Sequence, residues 1–315
     1  MKLDAAIISL GSETSRLTAK AMRKYFSRVD ELDIRKIDIR ISGMDEEILY
    51  DGKPIKSYAC IYAKGSFRYA ELMKSLTSIL EKKCYMPISA DSFTIAHDKL
   101  LTHLELQKSG IPMPNTYITA TVGAAKTILA GSKIKYPVMM KFPQGTGGKG
   151  VMFAESYESA SSILDALQTL RQPFILQEYI ETGRSDFRLI VVGDEVVASM
   201  KRIAAAGEAR ANFHAGGKGE MAAPDAVMKK IAVQVARTIK ADICAVDILP
   251  SSRGPLVVEA NISPGLKLIS RTTKKDIADI IAKFLFEKTS QLKEKDELEK
   301  KNRVIGVLDF SRKKK

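Results

Sequence analysis

The stretch Lys141–Glu155 reads KFPQGTGGKGVMFAE. Gly145, Gly147 and Gly150 give the spacing G-x-G-x-x-G, shared by dinucleotide-binding turns and by glycine loops that cover a nucleotide. A Rossmann turn needs a strand before it and a helix after it. Here Val151-Met152-Phe153 continues as strand, so the third glycine opens no helix. A Walker loop closes with Lys and then Ser or Thr, whereas Val151 follows Gly150. What remains is a glycine loop between two antiparallel strands, carrying Thr146, Gly148 and Lys149. Such a loop can fold over phosphates with backbone N–H groups and a lysine. It can equally be a plain flexible hairpin.

The flanking sequence alternates strands and helices. "AAIISLG" (5–11) reads as a buried strand ending in a turn glycine, 14–26 as a helix, and 33–41 as an alternating strand. This predicts a small parallel α/β domain up to about residue 90. Asp98 starts a helix that "SGIPMPN" stops with glycine and two prolines. "YPVMMKF", "VMFAE" and "PFILQEYI" are strands. "FRLIVVGDEVVASMKR" is a hairpin turned at Gly193-Asp194, and "CAVDILPSSRGPLVVEAN" is a second. Residues 225–240 and 274–286 carry helical apolar stripes. From Glu287 the chain is Lys/Glu-rich, which predicts a frayed helix and a mobile tail.

At 315 residues the chain is long enough for more than one domain. Its formal charge of +13 favours anionic partners, small acidic ligands and nucleic acid alike. Cys60, Cys84 and Cys244 form no C-x-x-C pair and are odd in number, which excludes a disulfide scaffold or zinc site by spacing and fits a reducing cytoplasm. No apolar run approaches a signal peptide or membrane span, so a cytoplasmic protein without membrane contact is expected.

Several residues around the loop carry chemistry. Lys141 sits on the strand before it and can reach phosphates from the sheet. Glu178 ends a strand whose edge can present donors and acceptors to a base. Glu259 and Asn261, two apart on a strand, share a face. With Asp247 on the partner strand they make an oxygen set suited to a hard cation such as magnesium. For Asp247 to face the same side, it must pair with an odd-numbered residue. A three-residue loop, Ser252-Arg253-Gly254 with positive φ at the glycine, would achieve this. In the first hairpin, a Gly193-Asp194 turn pairs Val192 with Glu195 and Arg188 near Ser199. Arg202 then lies at the same end of the ribbon, and the two guanidinium groups can flank one anion.

Taken together, these stretches resemble the ATP-grasp superfamily, and within it the RimK-like α-L-glutamate ligases. The resemblance covers roughly 85–285 and is carried by "HDKLLTHLELQKSGIPMPNTY", "KFPQGTGGKGV", "LQEYIE", "SDFRLIVVGDEVVASMKR", "RANFHAGG" and "AVDILPSSRGPLVVEANISPGL". It implies an α/β (α+β) chain: a preATP-grasp domain at 1–90, a small lid subdomain at 91–176, a large subdomain at 177–288 and a charged tail at 289–315. It implies that Lys99 and Lys141 contact ATP phosphates under the glycine lid (Gly145, Thr146, Gly147, Gly148, Lys149, Gly150). Glu178 and Tyr179 would hold the adenine, and Asp186 would lie by the ribose. Arg210 and Asn212 would lie beside the phosphates. Asp247, Glu259 and Asn261 would bind magnesium or manganese, as two ions. Arg188 and Arg202 would sit near the reacting carboxylate, and His214 is a candidate base. His97, at a helix start, reads as structural; His103 reads as a solvent or helix-packing residue.

The implied reaction is ATP-dependent ligation of an acceptor carboxylate to an amino acid such as L-glutamate. Acceptors compatible with it are a protein C-terminus, a glutamylated coenzyme or a small carrier protein. A carrier-protein ligase of lysine or arginine biosynthesis is the neighbouring alternative. A nucleic-acid-binding protein is the rival from another class, supported only by charge and lacking an aromatic stripe. A homodimer or homotetramer is compatible with the sequence.

Overall fold

The computed structural model describes residues 2–65, 67–131, 133–142, 150–168, 172–204 and 218–312, with side chains described as far as 301. In chain order the first elements are β1 (Asp4–Ser9), α1 (Glu13–Met22), β2 (Arg28–Asp33), β3 (Ile37–Ser42), β4 (Asp45–Tyr50), β5 (Lys53–Pro54), β6 (Cys60–Ala63) and α2 (Ala70–Leu80). There follow α3 (Ala90–His97), α4 (Lys99–Lys108), β7 (Thr116–Thr119), α5 (Val122–Ala130), β8 (Val138–Lys141), β9 (Val151–Ala154), α6 (Tyr157–Leu167) and β10 (Phe174–Glu178). The last are β11 (Ser185–Val192), β12 (Glu195–Ile203), β13 (Lys218–Met221), α7 (Ala226–Thr238), β14 (Ile243–Ser251), β15 (Gly254–Asn261), α8 (Lys267–Thr273) and α9 (Ile277–Arg312). They form two compact units. One comprises 1–64, 76–87 and 278–315; the other comprises 65–75 and 88–277.

The first unit has a parallel sheet in the order β2-β1-β6 and a small antiparallel sheet β3-β4-β5. The strand expected at 33–41 is broken in two. The Asp33 carboxylate accepts the backbone N–H of Arg35 at 3.0 Å and starts a short 3-10 turn, and the chain resumes as β3. The strand at 5–11 and the helix after it are found as expected, with Ser12 capping α1 through Ser15 N, whereas β2 and the antiparallel β3-β4-β5 sheet were not expected.

Helix α9 returns to this unit. Ile281 and Leu285 are fully buried, and Phe286 meets Phe26 edge-on at 5.4 Å. Instead of fraying at Glu287, the helix runs on to Arg312. The Glu, Lys, Leu and Gln of this segment are strong helix formers, and their intrinsic preference outweighs the crowding of charge. Side chains 291–301 are all exposed, so this part of α9 contributes no core.

The second unit contains two antiparallel sheets. The smaller, in the order β7-β10-β8-β9, buries Val138, Met140, Phe174 and Leu176 against Leu129 of α5 and Leu164 of α6. Alternation along the strands then turns Lys141 and Gln177 to the opposite face. The larger sheet runs β13-β12-β11-β14-β15. Helix α7 packs on β11, β12 and β14 through an i, i+3, i+4 stripe of Met228, Ile231, Ala232 and Val235. Helices α3 and α4 pack against β15.

The two halves of α9 differ in what they support. Leu285→Ala should destabilise the chain by about 2–5 kcal/mol, the usual cost of emptying a fully buried leucine site. Removing residues 294–315 should shift the denaturation midpoint little. Chemical denaturation of both variants checks this, and an equal loss in the two would assign a core role to the distal helix.

Candidate active site

The site is built by two hairpins, and in each a β-bulge sets which side chains meet. In β14–β15 the expected three-residue loop is not found. Ser251 pairs with Gly254, so the turn has two residues, Ser252 and Arg253, and Gly254 has φ +97°. That register alone would pair Asp247 with Val258 and turn Glu259 away. A bulge restores the match: Ile248 pairs with Val257 but Asp247 with Glu259, leaving Val258 extra. Asn261 pairs with Ala245, so Asp247, Glu259 and Asn261 do share one face.

In β11–β12 the Gly193-Asp194 turn pairs Val192 with Glu195 as expected. A second bulge, with Val197 extra, then moves Arg188 opposite Met200 rather than Ser199, and places Arg202 opposite Asp186. Lys275 Nζ donates to the carbonyl of the bulged Val197 at 2.8 Å. On its other side Arg188 is the register partner of Asp247.

Arg188 and Arg202 do flank one anion, and it is the carboxylate of Asp247. Arg188 donates through Nε to Oδ1 at 2.8 Å and through a terminal nitrogen to Oδ2 at 2.7 Å. Arg202 donates to the same Oδ2 at 2.7 Å and forks onto both oxygens of Asp186 at 2.6 and 2.5 Å. Arg202, Asp186 and Asp247 are all buried. Burial alone would raise the Asp247 carboxyl, but the two arginines hold it down at about 2. For Asp186 burial prevails over Arg202 and pushes the carboxyl up to about 6. Burial acts against the charge on Arg202 as well, yet Asp247 and Asp186 keep it firmly protonated. With both oxygens committed to Arg202, Asp186 anchors a guanidinium.

Glu259 faces three cations, Lys99, Lys141 and Arg188, whose ionisation its charge favours. Burial pushes the Lys141 ammonium down to about 8, and nearby Lys99 acts in the same direction. Lys99 is also lowered by burial, with Glu259 and Asp98 opposing. A cavity of about 230 Å³ beside them is lined by His97, Lys99, His103, Glu259, Asn261 and Ser263. His97 closes α3 instead of opening a helix, because Asp98 caps α4 through Leu100 N and Leu101 N. Its Nε2 is buried without a hydrogen-bond partner among the described residues.

The oxygen donors of Asp247, Glu259 and Asn261 suit a hard divalent cation. Asn261 Oδ1 accepts Ser263 N at 2.8 Å and keeps a second lone pair. No three His, Cys, Asp or Glu side chains converge on a metal position among the described residues, so a cation here would need the Asn261 amide as well.

Sequence reasoning missed a chain of hydrogen bonds behind the lysines. Lys141 Nζ donates to Gln177 Oε1 at 2.6 Å. Gln177 Nε2 lies 2.9 Å from Thr116 Oγ1 and 3.1 Å from His103 Nε2. His103 Nδ1 lies 2.5 Å from the Lys99 carbonyl. His103 is therefore no solvent residue: it is buried, and its four-residue spacing from Lys99 was the available signal.

At the other end of the small sheet, the Glu178 carboxylate accepts Asn115 N at 2.8 Å and forms an ion pair with Arg253. The Tyr179 ring meets Phe153 edge-on at 5.2 Å. Gly150 has φ +75°, and a Cβ there would lie 2.8 Å from the Phe142 ring, so the base of the loop needs glycine. Gly145, Thr146, Gly147, Gly148, Lys149, Arg210, Asn212 and His214 lie outside the described residues.

The sequence model of the RimK-like ATP-grasp domain matches residues 96–285, the span that holds this site. The chain belongs to the RimK-like ATP-grasp family. Two relatives of this ATP-grasp ligase are "Probable alpha-L-glutamate ligase" of Cellvibrio japonicus (33% identical, covering 87% of this chain and 91% of the relative) and "Probable alpha-L-glutamate ligase 1" of Pseudoalteromonas atlantica (34%, covering 88% and 92%). Among solved structures, a RimK domain ATP-grasp protein of Sphaerobacter thermophilus superposes with TM-score 0.69 at 19% identity, covering 90% of this chain and 99% of that one. The ATP-grasp ligase PsnB, complexed with a precursor variant, Mg and ADP, superposes with TM-score 0.71 at 16% identity, covering 91% and 99%. These structures share the ATP-grasp fold. No helix of the described residues is long and apolar enough to cross a membrane.

Two measurements follow from the charges. Lys141 binds an anion only as ammonium, and in the free protein it loses its proton as pH rises through about 8. ATP affinity should therefore fall above that pH, by up to about tenfold per pH unit, since binding requires proton uptake. Lys141→Arg, charged throughout, should show no such fall. Calorimetry across pH 7–10 checks both, and a flat wild-type profile would remove Lys141 from the binding step. Arg202→Lys keeps the charge but cannot fork onto Asp186 while reaching Asp247. Turnover should drop at least about tenfold, or about 1.4 kcal/mol of transition-state stabilisation. ATP affinity should stay near wild type.

Proposed function

We propose that this enzyme activates an acceptor carboxylate with ATP and joins it to the amino group of L-glutamate. The observation that carries this reading is the row of Arg188, Asp247 and Glu259 on one face of the large sheet, with Arg202 on the same Asp247 carboxylate and with Lys99 of α4 and Lys141 of the small sheet near enough to Glu259 to feel its charge. A carboxylate is a poor electrophile for amide formation. Its oxygen attacks the γ-phosphorus, the bond to the ADP oxygen breaks, and an acyl phosphate results. The amine then attacks the acyl carbon, phosphate leaves and the amine loses a proton. No protein nucleophile is needed; positioning and charge cancellation are.

Each group has a part in that sequence. Lys99 and Lys141 hold the polyphosphate. Arg188 and Arg202, fixed by Asp247 and Asp186, lie between the acceptor carboxylate and the transferring phosphoryl group, which otherwise repel. Arginine suits this place because its five N–H groups let one fork hold a protein carboxylate while the remaining N–H groups stay available to an anion. Glu259, Asn261 and the one lone pair left on Asp247 Oδ1 would hold a magnesium ion, which would supply further charge neutralisation at the phosphates. The names of the relatives, probable alpha-L-glutamate ligases, support glutamate as the incoming amino acid. They leave the acceptor open among a protein C-terminus, a glutamylated coenzyme and a carrier protein.

ADP formation should depend on added L-glutamate, and mass spectrometry of a reaction with ATP, glutamate and cell extract should show acceptors heavier by glutamyl units. Glu259→Gln should abolish turnover, because it removes a full charge from the metal shell. Near-wild-type activity in that variant, or ADP formation indifferent to glutamate, would refute the reading.

A further inference from the structure

The hydrogen bonds linking Lys141 to Lys99 run in one direction, and chemistry fixes that direction at both ends. An ammonium only donates, so the Gln177 atom facing Lys141 Nζ at 2.6 Å is its carbonyl oxygen. Its amide nitrogen is then left to donate, to Thr116 Oγ1 at 2.9 Å and to His103 Nε2 at 3.1 Å. At the far end a carbonyl only accepts, so His103 Nδ1 carries the proton directed at Lys99 O, 2.5 Å away. His103 is thus neutral, with its proton on Nδ1; burial, which lowers its pKa, favours the same form. Gln177 and His103 are both buried, and each link polarises the next.

This chain crosses between two elements. Lys141 ends β8 of the small sheet, and Lys99 opens α4. The Lys141 ammonium stands on a flexible four-carbon stem, so its place depends on what its nitrogen meets. We infer that Gln177 and His103 are positioning residues that fix the Lys141 ammonium relative to the first turn of α4, the turn from which Lys99 projects, so that Lys141 fits a nucleoside polyphosphate. The inference rests on the reading of these lysines as phosphate ligands. It assigns Gln177 no contact with the base, although it precedes Glu178 on β10, which is paired on both sides. Thr116 serves as a brace: its hydroxyl donates to Pro114 O at 2.9 Å and accepts from Gln177.

The role separates phosphate affinity from base affinity. Gln177→Met keeps the side chain's volume and removes both hydrogen-bonding atoms; His103→Leu removes the other link. Binding of Mg·AMP-PNP by calorimetry and of adenosine by ligand-observed NMR is compared in the full-length protein. Each single variant should bind AMP-PNP at least about tenfold more weakly, or about 1.4 kcal/mol. Adenosine affinity should stay within twofold of wild type. The double variant should be no weaker than the poorer single one, because both break one chain. Parallel losses for AMP-PNP and adenosine would make the two residues merely structural and overturn the proposal, as would AMP-PNP affinity within twofold of wild type. If His103→Leu fails to fold, Gln177→Met with Thr116→Val decides by the same criterion. Lys141→Met is the control for the reading beneath: unchanged AMP-PNP binding there removes Lys141 from the phosphates, and the positioning role with it. Glutamate-dependent turnover is a separate measurement, so failure of the ligase reading leaves this result interpretable.

Discussion

The Asp247 carboxylate holds two arginines at once, and the geometry of the site follows from that. Taking ions out of water costs several kcal/mol each, so a buried guanidinium persists only with a close, well-aligned partner. Arg202 has two such partners, Asp186 and Asp247, and Arg188 shares the second. Removing either aspartate would leave an uncompensated buried cation, typically a loss of about 3–5 kcal/mol. Neutralising any one of these four groups therefore leaves a buried partner uncompensated, whereas Arg202→Lys keeps the balance of charge. Two arginines hold the Asp247 carboxyl down, whereas burial prevails over the single arginine on Asp186.

The quartet exists because two strands are each one residue too long. Side chains alternate along a strand, so a one-residue slip reverses every face. Without Val258 as an extra residue, the two-residue turn at Ser252-Arg253 would set Glu259 against the wrong partner. Without Val197, Arg202 would not stand opposite Asp186. Bulges of this kind re-aim side chains next to active sites in many sheets. Here they let two short turns coexist with a face on which Arg188, Asp247 and Glu259 form a continuous row across three strands.

What was legible in the sequence is what lies along the chain. The glycine loop between strands, the two hairpins, and Glu259 and Asn261 two apart at a strand end could all be read from spacing. The order of these stretches identified the family, which the matched domain over 96–285 shows. Parity placed Asp247 beside Glu259, although through the wrong device, since a three-residue loop and a two-residue turn with a bulge have the same effect on alternation. What lies across the chain was not legible. Nothing in "HLEL" says that His103 meets Gln177, 74 residues away. The partner of Asp247 was also hidden, because a carboxylate suited to a cation from solution is equally suited to a guanidinium from the next strand. The break at Asp33 turns on its carboxylate, which takes both the backbone N–H and the guanidinium of Arg35, a local contact that the alternating pattern around it masks.

The pairing of arginine with aspartate also bears on how the proposed reaction is paid for. An arginine free in a cleft must be oriented and stripped of water while the phosphoryl group moves, and that reorganisation adds to the barrier. Arg188 and Arg202 are already oriented by strand register and by forked hydrogen bonds, and Arg202 is already buried. The carboxylates that fix them also weaken their attraction for a substrate anion in the ground state. A catalytic cation gains most when its interaction strengthens as charge develops, because uniform binding leaves the chemical step unaccelerated. Arginines held by protein carboxylates meet that condition. Bare cations in the same cleft would instead tighten the resting complex.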